Sequence, residues 1–297
     1  MNVPKRKPPF LGAASACATP FSEDGIDFSA LRLMLDSQIA SNIDGIVLCG
    51  TTGEAVTLTE KEYEAVLGFG AECIDGRVPY IVGCGSADTR QAAAHAALAA
   101  KNGADAVLVV TPYYNKGTAE GIRRHYETVA EAGGLPTILY HVPSRTGVRL
   151  SPDAFCRICE HPLLVGIKEA SGDMELFAAL SAMLADTLTL YSGCDALILP
   201  SLALGGGGVI SVISNLLPRE SARLCAAFFE GEMQEALALQ RRMAPLISLL
   251  FAETNPAPLK CALALQGICE ERLRLPLAPV SPALRARIKA ALAEQEN

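Results

Sequence analysis

The chain has 297 residues and a mass of 31.2 kDa; 50% of it is hydrophobic, 19% is charged, and mean hydropathy is +0.28. That is enough apolar material for a sizeable core, and it excludes a disordered chain. With 25 Lys and Arg against 32 Asp and Glu, the net charge of −7 argues against nucleic acid as the main partner, because phosphate binding wants a basic face.

Taken from the start, Lys5-Arg6-Lys7 lies in a Pro-rich stretch with no long apolar run behind it, and reads as a solvated tail rather than a targeting signal. No stretch reaches about 18 uninterrupted apolar residues, so no membrane span is expected. Apolar, β-rich runs then recur at Ala14–Ala18, Gly45–Cys49, Pro79–Gly83, Ala106–Val110, Thr137–Tyr140, Leu164–Lys168, Leu188–Ser192 and Gly208–Val212. Several are apolar throughout, as strands of a parallel sheet buried on both faces must be. Helix signals fall between them. Asp27 precedes one amphipathic run, and Thr59-Glu60-Lys61-Glu62 is a capping box. Ser151-Pro152 is an N-cap followed by Pro at the first helical position, and Asn102-Gly103 stops an Ala-rich helix.

Eight strand–helix alternations predict a (β/α)8 TIM barrel over residues 1–218. A doubly wound open sheet is the rival. It would carry a Gly-rich phosphate loop after the first strand, and here that strand runs into Thr19-Pro20-Phe21 instead. After Pro218 only helical patterns continue, with a break at Asn255-Pro256-Ala257-Pro258 and a last helix from Ser281-Pro282. Residues 219–297 are therefore expected to form a C-terminal helical region.

Ten scattered cysteines do not make a secreted disulfide framework in a chain this long, and most sit in apolar runs as small hydrophobes. A reduced, cytoplasmic protein is expected. Cys156-x-x-Cys159 with His161 is the one metal-like spacing, and no second cluster completes four ligands.

Barrel chemistry sits at the C-terminal ends of the strands. Gly50-Thr51-Thr52-Gly53-Glu54, after the second strand, is either an anion nest flanked by two hydroxyls or simply a well-made turn. Thr111-Pro112-Tyr113-Tyr114-Asn115 offers two tyrosines, for proton relay or for packing. The fifth strand ends in Tyr140 and leads to Arg145, which suits proton transfer and carboxylate binding unless the arginine is a surface ion-pair partner. Lys168, one of eight lysines, alone ends an apolar strand. Burial lowers an amine's pKa and makes it a Schiff-base nucleophile; the plain alternative is a lysine snorkelling outward beside Glu169. Ser192-Gly193-Cys194-Asp195 ends the seventh strand, and Gly205–Gly208 reads as a close-packed turn. Together these groups suggest class I aldolase chemistry on a 2-keto acid, with neither metal nor organic cofactor required because the imine is the electron sink.

On these motifs, and on Gly208-Val209-Ile210-Ser211-Val212, the chain closely resembles the dihydrodipicolinate synthase / N-acetylneuraminate lyase family from Thr19-Pro20-Phe21 to Leu273-Arg274-Leu275-Pro276. The resemblance implies that Lys168 forms a Schiff base with pyruvate and that Tyr140 moves the protons, in a relay with Thr51 and Tyr114. It implies that Thr52, Ile210 and Gly193 hold substrate, that Arg145 binds the carboxylate of L-aspartate 4-semialdehyde, and that Tyr113 reaches across a dimer interface within a homotetramer. Two positions depart from the family pattern: His141 stands where Asn is usual and Cys194 where Asp or another polar residue is. A sugar-acid or sialic acid aldolase of the same family is the runner-up, and a catalytically silent binding barrel is the alternative of another class. Lysine-inhibited members hold lysine with His, Asn and Glu, whereas the aligned positions here carry Glu60, Tyr63, Ala87 and Gln91. Weak or absent lysine feedback is expected.

Overall fold

A computed structural model describes residues 5–295. Eight parallel strands close into a barrel: β1 (Gly12–Ala16), β2 (Gly45–Leu48), β3 (Tyr80–Gly83), β4 (Ala106–Val110), β5 (Thr137–His141), β6 (Leu164–Glu169), β7 (Thr189–Ser192) and β8 (Gly208–Ser211). β1 pairs with both β2 and β8, which closes the ring. The predicted strands are present. The first lies two residues earlier than expected, because Gly12 joins the sheet opposite Gly208 and the chain leaves it after Ala16.

Gly208 explains the glycine run. Its φ is +152°, and a Cβ there would fall 1.9 Å from the Gly12 carbonyl oxygen, so only glycine allows this approach. A two-residue hairpin, Phe21–Ser22 with Gly25–Ile26, was not anticipated.

The ring helices are α1 (Phe28–Ala40), α2 (Glu60–Ile74), α3 (Thr89–Lys101), α4 (Ala119–Gly133), α5 (Pro152–Ile158), α6 (Met174–Leu184), α7 (Ile198–Ala203) and α8 (Pro218–Phe229). Their starts follow the sequence signals. The side chains of Asp27, Thr59 and Ser151 each accept a first-turn N–H, and the Thr59/Glu62 capping box is complete. After α8 come α9 (Met233–Leu250), α10 (Ala257–Leu265) and α11 (Pro282–Gln295).

Two apolar layers result. One lies between strands and helices; the other fills the barrel with Ala14, Ala16, Val47, Ile81, Leu108 and Ile210. β1 supplies only small side chains inward. Phe10 and Tyr191 take up that room, stacked with ring centroids 4.5 Å apart, and the Tyr191 hydroxyl donates to the Phe10 carbonyl.

The basic start is not a solvated tail throughout. Arg6 is half-buried, and its guanidinium donates to the carbonyls of Cys159, His161 and Leu164, capping the end of α5 and the turn before β6. Cysteines 17, 84 and 159 are buried free thiols pushed up to about 12 by desolvation. Among the described residues no group of His, Cys, Asp or Glu is arranged to hold a metal ion, and no helix is long and apolar enough to cross a membrane.

Candidate active site

At the C-terminal mouth of the barrel lies a cavity of about 500 Å³, reached by Thr51, Thr52, Tyr140, Arg145, Lys168 and Gly193. A second chamber of about 280 Å³ shares Thr51, Tyr140 and Arg145 with it and adds Tyr113.

Lys168 sits near the end of β6 and is 5% exposed. It is paired in register with Tyr140 of β5, and its Nζ lies 4.3 Å from the Tyr140 ring centroid. Burial lowers its pKa to about 8; the Asp195 carboxylate and Cys194 oppose that shift, and Arg145 adds to it. The amine is thus neutral in a sizeable fraction of molecules near neutral pH, which is what addition to a carbonyl requires.

Tyr140 is 7% exposed and its phenol is raised above its ordinary range, chiefly by desolvation. The Thr51 side chain and the positive charge of Arg145 pull it the other way. Thr51 and Tyr140 line both chambers together.

The Thr51–Thr52 loop is flanked by two residues in left-handed backbone, Cys49 (φ 54°) and Glu54 (φ 51°). The Gly53 and Glu54 amides close the turn on the Gly50 and Thr51 carbonyls, and those of Thr51 and Thr52 make no hydrogen bond among the described residues. Both amides are thus available to a ligand at the turn. Thr52 is buried, and its hydroxyl accepts from Nδ2 of Asn255 at 3.0 Å.

Arg145 stands at the solvent-facing mouth. One of its five N–H groups donates to the Asn255 carbonyl at 3.0 Å, which aims the rest of the fork. Gly193 is forced by close approach. Its N–H donates to the Glu169 carbonyl at 2.6 Å, and an added Cβ would fall 2.4 Å from Cβ of Ala170 and 3.0 Å from Cε of Lys168. Replacing Gly193 by Ala should therefore displace the lysine stem and slow imine formation by about tenfold or more, as misplaced reacting groups do. The rate of borohydride trapping at fixed pyruvate checks this, and an unchanged rate would show that the strand ends relax.

Two expected site residues are not drawn to Lys168. Ile210 is fully buried with its side chain in the barrel interior and lines neither chamber, so only its backbone can serve a ligand. Tyr114 is 90% exposed, with φ +71°, and also lines neither. The tyrosine that turns outward is thus Tyr114, while Tyr113, expected to reach across an interface, lines its own chain's second chamber.

Other functional groups were not anticipated. Asp195 is buried behind Lys168, accepting the Val212 and Ile213 amides at 3.0 and 2.9 Å. Asn255 lies in what reads as a helix break, yet it joins Thr52 to Arg145. Helix α9 roofs the cavity with Ala244, Ile247 and Ser248 and is pinned by Gln240, which donates to the Asp195 carbonyl. His141, the departure at β5, is wholly buried. Its Nε2 accepts the Leu150 amide, so the proton is assigned to Nδ1, which donates to Glu169 at 3.2 Å. Cys194 lines the cavity with its thiol raised to about 11, chiefly by desolvation.

The dihydrodipicolinate synthetase family model matches residues 9–295. The chain belongs to that family. A 4-hydroxy-tetrahydrodipicolinate synthase of Pelobacter propionicus is 45% identical over 283 residues, covering 95% of this chain and 98% of the relative. Among family members of known structure, the chloride-inhibited dihydrodipicolinate synthase of Acinetobacter baumannii, complexed with pyruvate, superposes with a TM-score of 0.94 at 40% identity over 96% of this chain and 99% of that one. The lysine-bound dihydrodipicolinate synthase of Cyanidioschyzon merolae has a TM-score of 0.91 at 34% identity, covering 97% and 98%.

Proposed function

We propose that the chain is a Schiff-base-forming lyase that condenses pyruvate with L-aspartate 4-semialdehyde to give 4-hydroxy-tetrahydrodipicolinate, in the diaminopimelate route of lysine biosynthesis. The observation that carries this reading is the buried Lys168 amine, brought down to about 8 and held 4.3 Å from the Tyr140 ring at the mouth of a barrel of this family. The neutral amine adds to the ketone carbon of pyruvate, and water leaves as the protonated imine forms. Loss of a methyl proton, taken by Tyr140 in its relay with Thr51, gives the enamine. Its carbon attacks the aldehyde of the second substrate, whose carboxylate Arg145 binds while Thr52, Gly193 and the Ile210 backbone hold the pyruvyl part. The substrate's own amine then attacks the imine carbon, closes the ring and releases Lys168. Metal and organic cofactor have no step in this scheme. Condensation assays with aspartate semialdehyde and with 2-keto-3-deoxy sugar acids test it: turnover of the former alone is expected, and turnover of a sugar acid alone would transfer the chain to the sister aldolases.

The strand-bearing part, residues 1–218, and the helical part, residues 219–297, act as one cytoplasmic catalytic unit in this reading, assembled as a homotetramer built as a dimer of dimers. Tyr114 supports the assembly: an exposed aromatic held in left-handed backbone is the kind of surface that a second copy covers. Tyr114→Phe is expected to keep the sedimentation coefficient of the tetramer while slowing turnover at least about tenfold, through loss of a relay hydroxyl. An active monomer at assay concentration would refute the arrangement.

Lysine feedback is expected to be weak. Glu60, the one carboxylate at the aligned positions, is already bonded to Gln91 Nε2 (3.1 Å) and His95 Nε2 (2.9 Å), and His95 stacks on Tyr63. Titration of L-lysine into the condensation assay should give half-inhibition only above about 1 mM, a binding free energy weaker than about −4 kcal/mol.

A further inference from the structure

Glu54 closes the Thr51–Thr52 loop, and its carboxylate takes no part in the chemistry just described. It is 2% exposed. One oxygen lies 2.5 Å from Nζ of Lys260 on α10; the other accepts the Arg274 amide at 3.0 Å. Lys260 is 0% exposed. Its ammonium also donates to the Arg272 carbonyl at 2.8 Å and stands 3.9 Å from the Phe21 ring centroid. The Arg274 guanidinium also lies over that ring, 4.4 Å from its centroid, pairs with Glu62 and donates to the Thr57 carbonyl. Three segments far apart in the chain thus converge on the residue that ends the catalytic loop.

A buried ion pair is poor evidence for stability, because desolvation cancels much of the attraction and an apolar pair of the same shape often does as well. What it does supply is a directional restraint. Glu54 holds a backbone conformation that residues other than Gly, Asn and Asp seldom adopt. Its amide donates to the Thr51 carbonyl at 3.1 Å, so a shift of Glu54 is passed directly to Thr51, which lines both chambers beside Tyr140.

We propose that the buried Glu54–Lys260 pair is a positioning device for the reaction: it holds the Thr51 hydroxyl on Tyr140 and so governs the rate of proton removal from the pyruvate imine, not the formation of that imine. The inference rests on the function proposed above. Neither member of the pair lines the chamber that holds Lys168, and Glu54 reaches only the second one; the pair acts through the loop.

The double variant Glu54→Gln/Lys260→Met removes both charges and keeps the volume. Single Lys260→Met leaves a buried carboxylate unpaired and is expected to lower Tm. Three readouts separate the steps: Tm, borohydride trapping of the pyruvate imine at Lys168, and exchange of pyruvate methyl protons for solvent deuterium followed by NMR. For the double variant we expect a Tm near that of the parent, trapping within about threefold of the parent, and methyl exchange and condensation slowed by tenfold or more. Glu54→Asp keeps both charges and draws the carboxylate back by one methylene; it should show the same selective slowing, and it carries the test if the double variant does not fold. Parental exchange in either folded variant overturns the proposal and makes the pair purely structural. Loss of trapping in step with exchange also overturns it, because the loop would then serve pyruvate binding. If the parent protein neither traps nor exchanges pyruvate, the proposed function fails and not this inference.

Discussion

Replacing Lys168 by Arg should abolish borohydride trapping of pyruvate, with no adduct found by mass spectrometry on any other lysine. A guanidinium stays protonated at every accessible pH and cannot add to a carbonyl. An adduct on another lysine of the parent protein would refute the assignment. The parent should also show a defined pH dependence. Because burial lowers the Lys168 pKa to about 8, the neutral fraction, and with it the rate of imine formation, rises about tenfold per pH unit below 8 and levels off above it. An exposed lysine would go on rising to about 10.4. A plateau near 10 would mean that the amine is solvated in solution.

Arg145→Ala should damage the use of aspartate semialdehyde far more than that of pyruvate. Among the described residues the guanidinium makes a single hydrogen bond, to the Asn255 carbonyl, so most of its fork faces the cavity mouth. A charge-assisted contact to a carboxylate is worth about 1.5–3 kcal/mol, a loss of roughly ten- to a hundredfold in kcat/KM for that substrate. Trapping of pyruvate should stay within about threefold. Arg145→Lys should recover only part of the loss, because an ammonium cannot reproduce a bidentate geometry. An unchanged condensation rate would make Arg145 an ordinary surface residue.

How much of this is legible in the sequence depends on chain distance. Lys168 and Tyr140 are legible because each ends an apolar strand, and strand ends define the mouth of a barrel. The helix starts are legible because a capping side chain answers an N–H two or three residues away, as Asp27, Thr59 and Ser151 do. Gly193 is legible as a strand-end residue, but not the reason for it, which is the proximity of Ala170 and Lys168 across the sheet. Asn255 reads as punctuation beside Pro256, and nothing local ties it to Thr52, 203 residues away. Lys260 in an apolar helical run is hard to tell from a snorkelling side chain, since its partner Glu54 lies in another part of the chain. The two tyrosines are adjacent, and only the left-handed backbone at Tyr114 decides which of them turns outward.

The clasp between the catalytic loop and the C-terminal region also sets a timetable. The bond from the Arg274 amide to Glu54 spans 220 residues, and that from Asn255 to Thr52 spans 203. At roughly 5–20 residues per second, a ribosome needs about 10–45 s to supply the second half of each contact after the first has emerged. During that interval the loop that carries Thr51 has no countercharge for Glu54 and no donor for Thr52. Strands can pair with their neighbours as they appear, but the Thr51–Thr52 loop is clasped by residues made long after it. A nascent chain that stalls before Arg274 can therefore hold every barrel strand and still lack this clasp on the Thr51–Thr52 loop.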